Sequence, residues 1–170
     1  MTLFYKEMES PVGKLKLVAS ANALLAVLWE RKRPNRVKLA MLQHDPQQPI
    51  LIKTERQLGE YFAGTRNQFD LPLEPTGTEF QKKVWRALQE IPFGQTRSYL
   101  DLAKSIGSAK AVRAVGAANG KNPLSIVVPC HRILGANGTL TGFAGGLETK
   151  AKLLALESRR SLFSLGENVA

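Results

Sequence analysis

Thiols and imidazoles are scarce in this chain of 170 residues: it has one cysteine, Cys130, and two histidines, His44 and His131. A disulfide scaffold is therefore excluded, as is a structural zinc site of the four-cysteine or two-cysteine, two-histidine kind. Long apolar runs are missing too. No stretch approaches the ~18 uncharged apolar residues of a membrane-spanning helix. Residues 1–10 carry Lys6, Glu7 and Glu9 and lack the apolar run of a signal peptide. A cytoplasmic protein is expected, in a reducing compartment where a lone thiol persists. Acidic residues are in deficit: 24 Lys and Arg against 14 Asp and Glu give a net charge of +10. Residues 1–76 hold 11 basic and 8 acidic side chains, and residues 77–170 hold 13 and 6. A basic second part suits a polyanionic partner; a solvated basic surface is the plain alternative. What is present suffices for a core, since 44% of residues are hydrophobic, and global disorder is excluded.

The length fits one ordinary domain or two small ones. The first part reads as a sheet with a helix. Residues 13–18 alternate apolar and charged, the period of a half-buried strand, and residues 23–29 are its expected neighbour. Ser10-Pro11-Val12-Gly13 and Ala21-Asn22 look like turns. Leu51, Leu58, Tyr61 and Phe62 have helical spacing, ended by Gly64. Phe69, Leu71 and Leu73 alternate as a further strand. His44, beside Asp45 and Pro46, is expected in an exposed polar loop. The stretch 73–77 is the best linker candidate, which divides the chain into domains 1–76 and 77–170.

The second part opens with Thr78-Glu79-Phe80-Gln81, a capping box at a helix start. Phe80, Val84, Leu88 and Ile91 continue at helical spacing until Pro92 and Gly94. Two short helices follow, 98–106 and 109–119, joined at Gly107 in the pattern of a helix-turn-helix unit. On the second, Val112, Val115 and Gly116 share one face. Lys110, Arg113, Ala114 and Ala117 form the other, basic at one end and otherwise nearly bare, so that a partner could approach the backbone closely. Ile126-Val127-Val128 reads as a buried strand, Gly135-Ala136-Asn137-Gly138 as a turn between 133–134 and Leu140, and residues 148–158 as a final helix.

Lone cysteines are most often inert core residues, but Cys130 follows an expected strand and adjoins His131 and Arg132, both able to favour a thiolate. In extended chain the Cys130 and His131 side chains point to opposite sides, so a turn at Pro129 or a bridging water would be needed to connect them. Glu157 shares the face of Leu153 and Leu154 on the last helix. An acid on an apolar stripe needs a partner. His131 is one candidate, giving a Glu157–His131–water–Cys130 relay; Lys150, Lys152, Arg160 or solvent are the others. Tyr99 can donate a proton or hydrogen bond, or serve as a core aromatic. Asn122-Pro123 is a turn-initiating pair.

Pro129-Cys130-His131-Arg132, preceded by Asn122-Pro123, resembles the signature of the O6-alkylguanine-DNA alkyltransferases, the methylated-DNA–protein-cysteine methyltransferases. Phe93-Gly94-Gln95-Thr96-Arg97-Ser98-Tyr99, residues 111–118, Gly145-Gly146 and Glu157 occur in the family's order and spacing, so the resemblance covers about residues 77–160. It implies a small N-terminal α/β domain and a mainly helical C-terminal domain with a winged-helix-like DNA-binding unit. It implies repair of alkylated double-stranded DNA by irreversible transfer of the alkyl group from O6-alkylguanine, and from O4-alkylthymine, to Cys130, once per molecule and with base flipping. His131 and Glu157 match the activating relay, and Tyr99 the tyrosine that assists the departing guanine. Arg113 matches the arginine that fills the space of the flipped base, with Lys110, Ala114, Ala117 and Ser98 as further DNA contacts. Asn122 matches an asparagine that braces the turn before the cysteine. The backbone around Val128, Cys130, Ile133 and Ala144 matches groups that bond the base edge. No cofactor or metal, no membrane and no obligate protein partner are expected, and the protein is expected to be monomeric.

Phe143 and Ala144 stand where other members have Tyr and Ser, and Ser125 where some have Pro, which bears on the pocket's tolerance of bulky adducts. The zinc site of some members needs several Cys and His near the N-terminus, where this chain has only His44. Two other classes compete. A Cys130–His131–Glu157 hydrolase would turn over repeatedly and need an oxyanion hole. A non-enzymatic helix-turn-helix DNA binder would leave the Cys130 cluster idle.

Overall fold

The computed structural model describes residues 2–30 and 41–169, and the side chains of the last helix as far as Arg159. The chain divides into two compact units, Met1–Thr78 with Pro123–Val127, and Glu79–Asn122 with Val128–Ala170.

The first unit is a four-stranded sheet with one helix. Strands β1 (Leu3–Met8), β2 (Leu15–Ala19), β3 (Leu24–Trp29) and β4 (Leu42–His44) lie in the order β3-β2-β1-β4. The first three form an antiparallel meander, and β4 adds parallel to β1. His44 is exposed, as expected, but it ends a strand rather than sitting in a loop. Helix α1 (Pro49–Ala63) starts at Gln48, whose Oε1 accepts from Leu51 N at 2.9 Å, and Pro49 occupies the first turn, where a missing N–H costs nothing. The α1 residues Leu51, Leu58 and Tyr61 are buried, each of the two leucines worth about 1.5–3 kcal/mol.

Residues 69–73 do not form the expected strand. The Asp70 backbone is instead satisfied by Gln57 of α1, whose Nε2 donates to Asp70 O at 3.0 Å and whose Oε1 accepts from Asp70 N at 2.9 Å. The segment meets the sheet at Leu73, where Leu24 N bonds Pro72 O at 2.7 Å and Glu74 N bonds Leu24 O at 2.9 Å. Residues 123–127, which the sequence places in the second domain, return to the first unit: Val27 N donates to Pro123 O at 2.8 Å and Trp29 Nε1 to Ser125 Oγ at 3.0 Å.

The second unit is mainly helical. Helix α2 (Glu79–Leu88) begins directly after Thr78, where the capping box puts it, and buries Val84, Trp85 and Leu88. Strand β5 (Arg97–Ser98) leads into α3 (Tyr99–Ser105). Ser98 Oγ accepts from Asp101 N and Asp101 Oδ2 from Ser98 N, a reciprocal cap. Gly107 ends the helix at φ +72°, with Ser108 N bonded to Ala103 O and Gly107 N to Lys104 O. This termination needs a left-handed residue, which glycine supplies without a Cβ penalty. Residues Ala109–Ala111 form a 3₁₀ turn, so the next helix, α4 (Val112–Gly120), starts later than its sequence suggests. Trp85 Nε1 donates to Ala118 O at 2.8 Å and pins α2 to α4. Strand β6 (Ile133–Leu134) pairs in parallel with β5, and the expected turn follows it at 135–138, where Gly138 N bonds Gly135 O at 3.1 Å. The final helix, α5 (Leu147–Val169), continues past the expected end at Ser158.

Candidate active site

Cys130 is delivered by two tight turns and not by a strand. Val127 N bonds Ser125 O at 2.9 Å around Ile126 at φ +73°, a conformation that costs a β-branched residue about 1–2 kcal/mol. Two residues on, Cys130 N bonds Val128 O at 2.8 Å around Pro129 at φ −81° and ψ 64°, an inverse γ-turn that the ring of proline favours. The expected strand 126–128 is thus replaced because its backbone bonds to itself. Cys130 and His131 are not extended neighbours either, for Cys130–Arg132 form a 3₁₀ turn. Asn122 Nδ2 donates to Val128 O at 2.8 Å and spans the bend.

All three residues of that turn are buried, with Cys130 5% exposed and His131 0%. Glu157 of α5 meets two of them. Its Oε2 lies 2.6 Å from His131 Nε2. Arg132 Nε donates to Oε1 at 2.8 Å and Nη2 to Oε2 at 3.1 Å, the paired geometry a guanidinium offers a carboxylate. Gly94 N adds a donor to Oε1 at 3.3 Å, and Arg132 Nη1 donates to Ile91 O at 2.7 Å. Burial pushes the Glu157 carboxyl up, but the hydrogen bonds and charges of His131 and Arg132 outweigh it and hold the group well below the usual carboxylate range. Burial pushes His131 below its ordinary value despite Glu157. The imidazole is therefore neutral near pH 7 and donates Nε2–H to Glu157. Nδ1 keeps its lone pair, and this buried nitrogen has no hydrogen-bond partner among the described residues.

Of the partners weighed for Glu157, His131 is the one the structure brings to it. Lys150 turns elsewhere: it is fully buried and its Nζ donates to Thr141 O at 2.7 Å. Burial lowers its pKa, while negative charge on Cys130 acts the other way, so the ammonium is an electrostatic neighbour of the thiol. Lys152 pairs with Glu148, and the side chain of Arg160 lies outside the described residues. The sequence did not single out Arg132 as the second partner of Glu157, nor Lys150 or Thr141 as site residues. Lys150 carries a signal, since Lys150, Leu153 and Glu157 share one helix face.

Tyr99 is the first residue of α3, its ring against Gly116 of α4, where an added Cβ would lie 3.5 Å from Cδ1. Thr141 Oγ1 donates to the Tyr99 hydroxyl at 3.2 Å. Ser98 caps α3. Lys110, Arg113, Ala114 and Ala117 are all exposed along the 3₁₀ turn and α4, while Val115, Ala118 and Asn119 are buried. The bare face read from the sequence is therefore presented outward. Val128 and Ile133 are buried, and Ala144 is half-buried in a turn closed by Gly146 N on Phe143 O. No group of three or more His, Cys, Asp or Glu that could hold a metal ion occurs among the described residues.

A buried thiol and a buried imidazole–carboxylate pair thus share one unit with a helix-turn-helix whose outer helix is exposed, bare and basic. Residues 79–159 match the family described as 6-O-methylguanine DNA methyltransferase, DNA binding domain, and residues 3–75 its ribonuclease-like domain. The chain is 47% identical over 156 residues to a methylated-DNA–protein-cysteine methyltransferase of Methanosarcina acetivorans, covering 91% of this chain and 98% of that one. It is 44% identical to the constitutive enzyme of Bacillus subtilis, covering 91% and 94%. The crystal structure of Mycobacterium tuberculosis OGT in complex with DNA superposes with a TM-score of 0.85 at 41% identity, over 94% of each chain. The chain belongs to the family of methylated-DNA–protein-cysteine methyltransferases, and its activity is that of a DNA-repair methyltransferase.

Proposed function

We propose that the protein repairs O6-alkylguanine, and O4-alkylthymine, in double-stranded DNA by moving the alkyl group onto Cys130 once per molecule. The observation that carries this reading is the Glu157–His131–Arg132 network at the base of the turn bearing Cys130. A carboxylate held ionised fixes the tautomer of a neutral imidazole, whose remaining nitrogen can take the thiol proton through a water. The thiolate sulfur then forms a bond to the alkyl carbon as the carbon–O6 bond breaks. The electron pair leaves with guanine, which Tyr99 protonates or hydrogen-bonds. Where Tyr99 gives up its proton, guanine keeps the phenol proton, His131 holds the thiol proton until both side chains exchange protons with water, and the protein carries a thioether. Nothing in the network supplies a nucleophile to cleave that bond, which favours a single turnover over the hydrolase alternative.

A thiol this buried meets only a base taken out of the stack, so the reaction requires base flipping. The small exposed side chains of Ala114 and Ala117 suit close approach of α4 to the minor groove, with Arg113 filling the vacated place in the stack and Lys110 and Ser98 toward the backbone. Asn122 braces the Cys130 turn, and the main chain at Val128, Cys130, Ile133 and Ala144 receives the base edge. The net charge of +10 supports phosphate-dominated binding with little sequence preference. The protein acts as a cytoplasmic monomer without a cofactor. The test is stoichiometric: with a duplex bearing O6-methylguanine in excess, restored guanine should plateau at one equivalent per chain, and a count that keeps rising would favour the hydrolase.

A further inference from the structure

The proposed mechanism gives Tyr99 a proton to donate but leaves open what holds the phenol while it does so. The structure offers one group. Thr141 Oγ1 lies 3.2 Å from the Tyr99 hydroxyl as its donor. Thr141 is itself fixed from two sides. Its carbonyl accepts from the buried Lys150 ammonium at 2.7 Å, and an ammonium out of water keeps its few partners. Its methyl lies 3.1 Å from where a Cβ on Gly135 would stand, so the glycine leaves the space the threonine fills. The strand-like return that carries Thr141 is closed by Gly135 N on Thr139 O at 2.8 Å.

We propose that Thr141 is a positioning residue for Tyr99: its hydroxyl donates to the phenol oxygen and stabilises that oxygen as the phenol proton moves onto the departing base. This rests on the reading of Tyr99 as the donor to guanine. Two hydroxyls can share a hydrogen bond in either sense. Once the phenol proton is given to the base, the phenolate oxygen can only accept, so the hydrogen bond between the two runs from Thr141. The bond is then charge-assisted and stronger than in the resting protein, so it favours the transition state over the ground state. The anchored carbonyl means the donor need not be ordered during the reaction.

The experiment measures single-turnover transfer from an O6-methylguanine duplex for the full chain and for Tyr99→Phe, Thr141→Val, Thr141→Ser and the Tyr99→Phe/Thr141→Val double variant. Thr141→Val should slow transfer about tenfold, the worth of one charge-assisted hydrogen bond, while Thr141→Ser restores the rate. In the Tyr99→Phe background, Thr141→Val should change nothing further. A second readout is the split between binding and chemistry: Thr141→Val should lower the rate at saturating duplex while leaving duplex affinity unchanged, a split that a merely structural role would not produce. If Tyr99→Phe is slow but Thr141→Val is not, the role of Tyr99 stands and Thr141 is dismissed. If Tyr99→Phe transfers at the native rate, the reading of Tyr99 falls and this inference with it. Equal slowing by Thr141→Val in both backgrounds would also overturn it. Should Thr141→Val fail to fold, Thr141→Ala in the native and Tyr99→Phe backgrounds decides, a native transfer rate for Thr141→Ala alone counting against the proposal.

Discussion

The buried carboxylate of Glu157 holds an imidazole and a guanidinium at once, and removing its charge separates the two dependencies. Glu157→Gln keeps the shape but leaves the Arg132 cation buried without its counter-charge. Breaking one half of such a pair typically costs about 3–5 kcal/mol, so denaturant unfolding should show a loss of that order together with slowed transfer. The pH dependence follows from His131. Its folded-state pKa lies below the ordinary 6.5 because of burial, so below that pH the unfolded chain binds a proton the folded chain refuses. The contribution is complete above about pH 6.5 and is lost as pH falls toward the folded value, at up to about 1.4 kcal/mol per pH unit. Glu157 adds a lower limb, present above its ordinary 4.5 and lost as pH falls through its depressed folded value. Urea titrations of the full chain and of His131→Asn across this range should show the upper limb lost and the lower limb reduced, since His131 is one of the two groups that depress Glu157. At this scale the sequence is informative where a residue is out of place: a thiol beside a histidine, and an acid on an apolar stripe. Arg132 and Thr141 are ordinary in type and position, and only the 3₁₀ turn and the return after Gly135 bring them to Glu157 and Tyr99.

Helix α4 acts through what it lacks. Ala117 is exposed and packs on nothing in the core, so Ala117→Glu should leave unfolding unchanged. On the proposed DNA face it places bulk and negative charge against phosphate, and duplex affinity should fall about tenfold or more in a filter or anisotropy titration. Arg113→Ala should slow transfer from a duplex more than from a single strand, where no stacking gap needs filling. The alternation of α4 and the glycine between its two helices were legible because helical period and a left-handed turn leave direct marks in sequence. The segment 126–128 was not. Its β-branched residues suit a strand, but Pro129 fixes one γ-turn and the Ser125–Val127 bond a second, and propensity says nothing about either. Residues 69–73 misled for a similar reason, because Gln57 reaches across from α1 to take the hydrogen bonds a neighbouring strand would have made.

At the scale of the molecule, a basic chain must bring one thiol to one altered base among a great excess of intact ones. If phosphate contacts supply the affinity, the logarithm of the binding constant should fall linearly with the logarithm of salt concentration and depend little on sequence. An affinity insensitive to salt would place the recognition elsewhere. The return of Pro123–Val127 to the first unit was not legible in the sequence, since it depends on backbone bonds to β3 that carry no side-chain pattern. The most direct measurement is the mass of the protein after one exposure to an O6-methylguanine duplex, followed by peptide mapping. The account predicts a single added methyl group, carried as a thioether in the peptide containing Cys130, and none when that residue is Ser. Restored guanine alongside protein of unchanged mass, or a methyl group on any other residue, would contradict it.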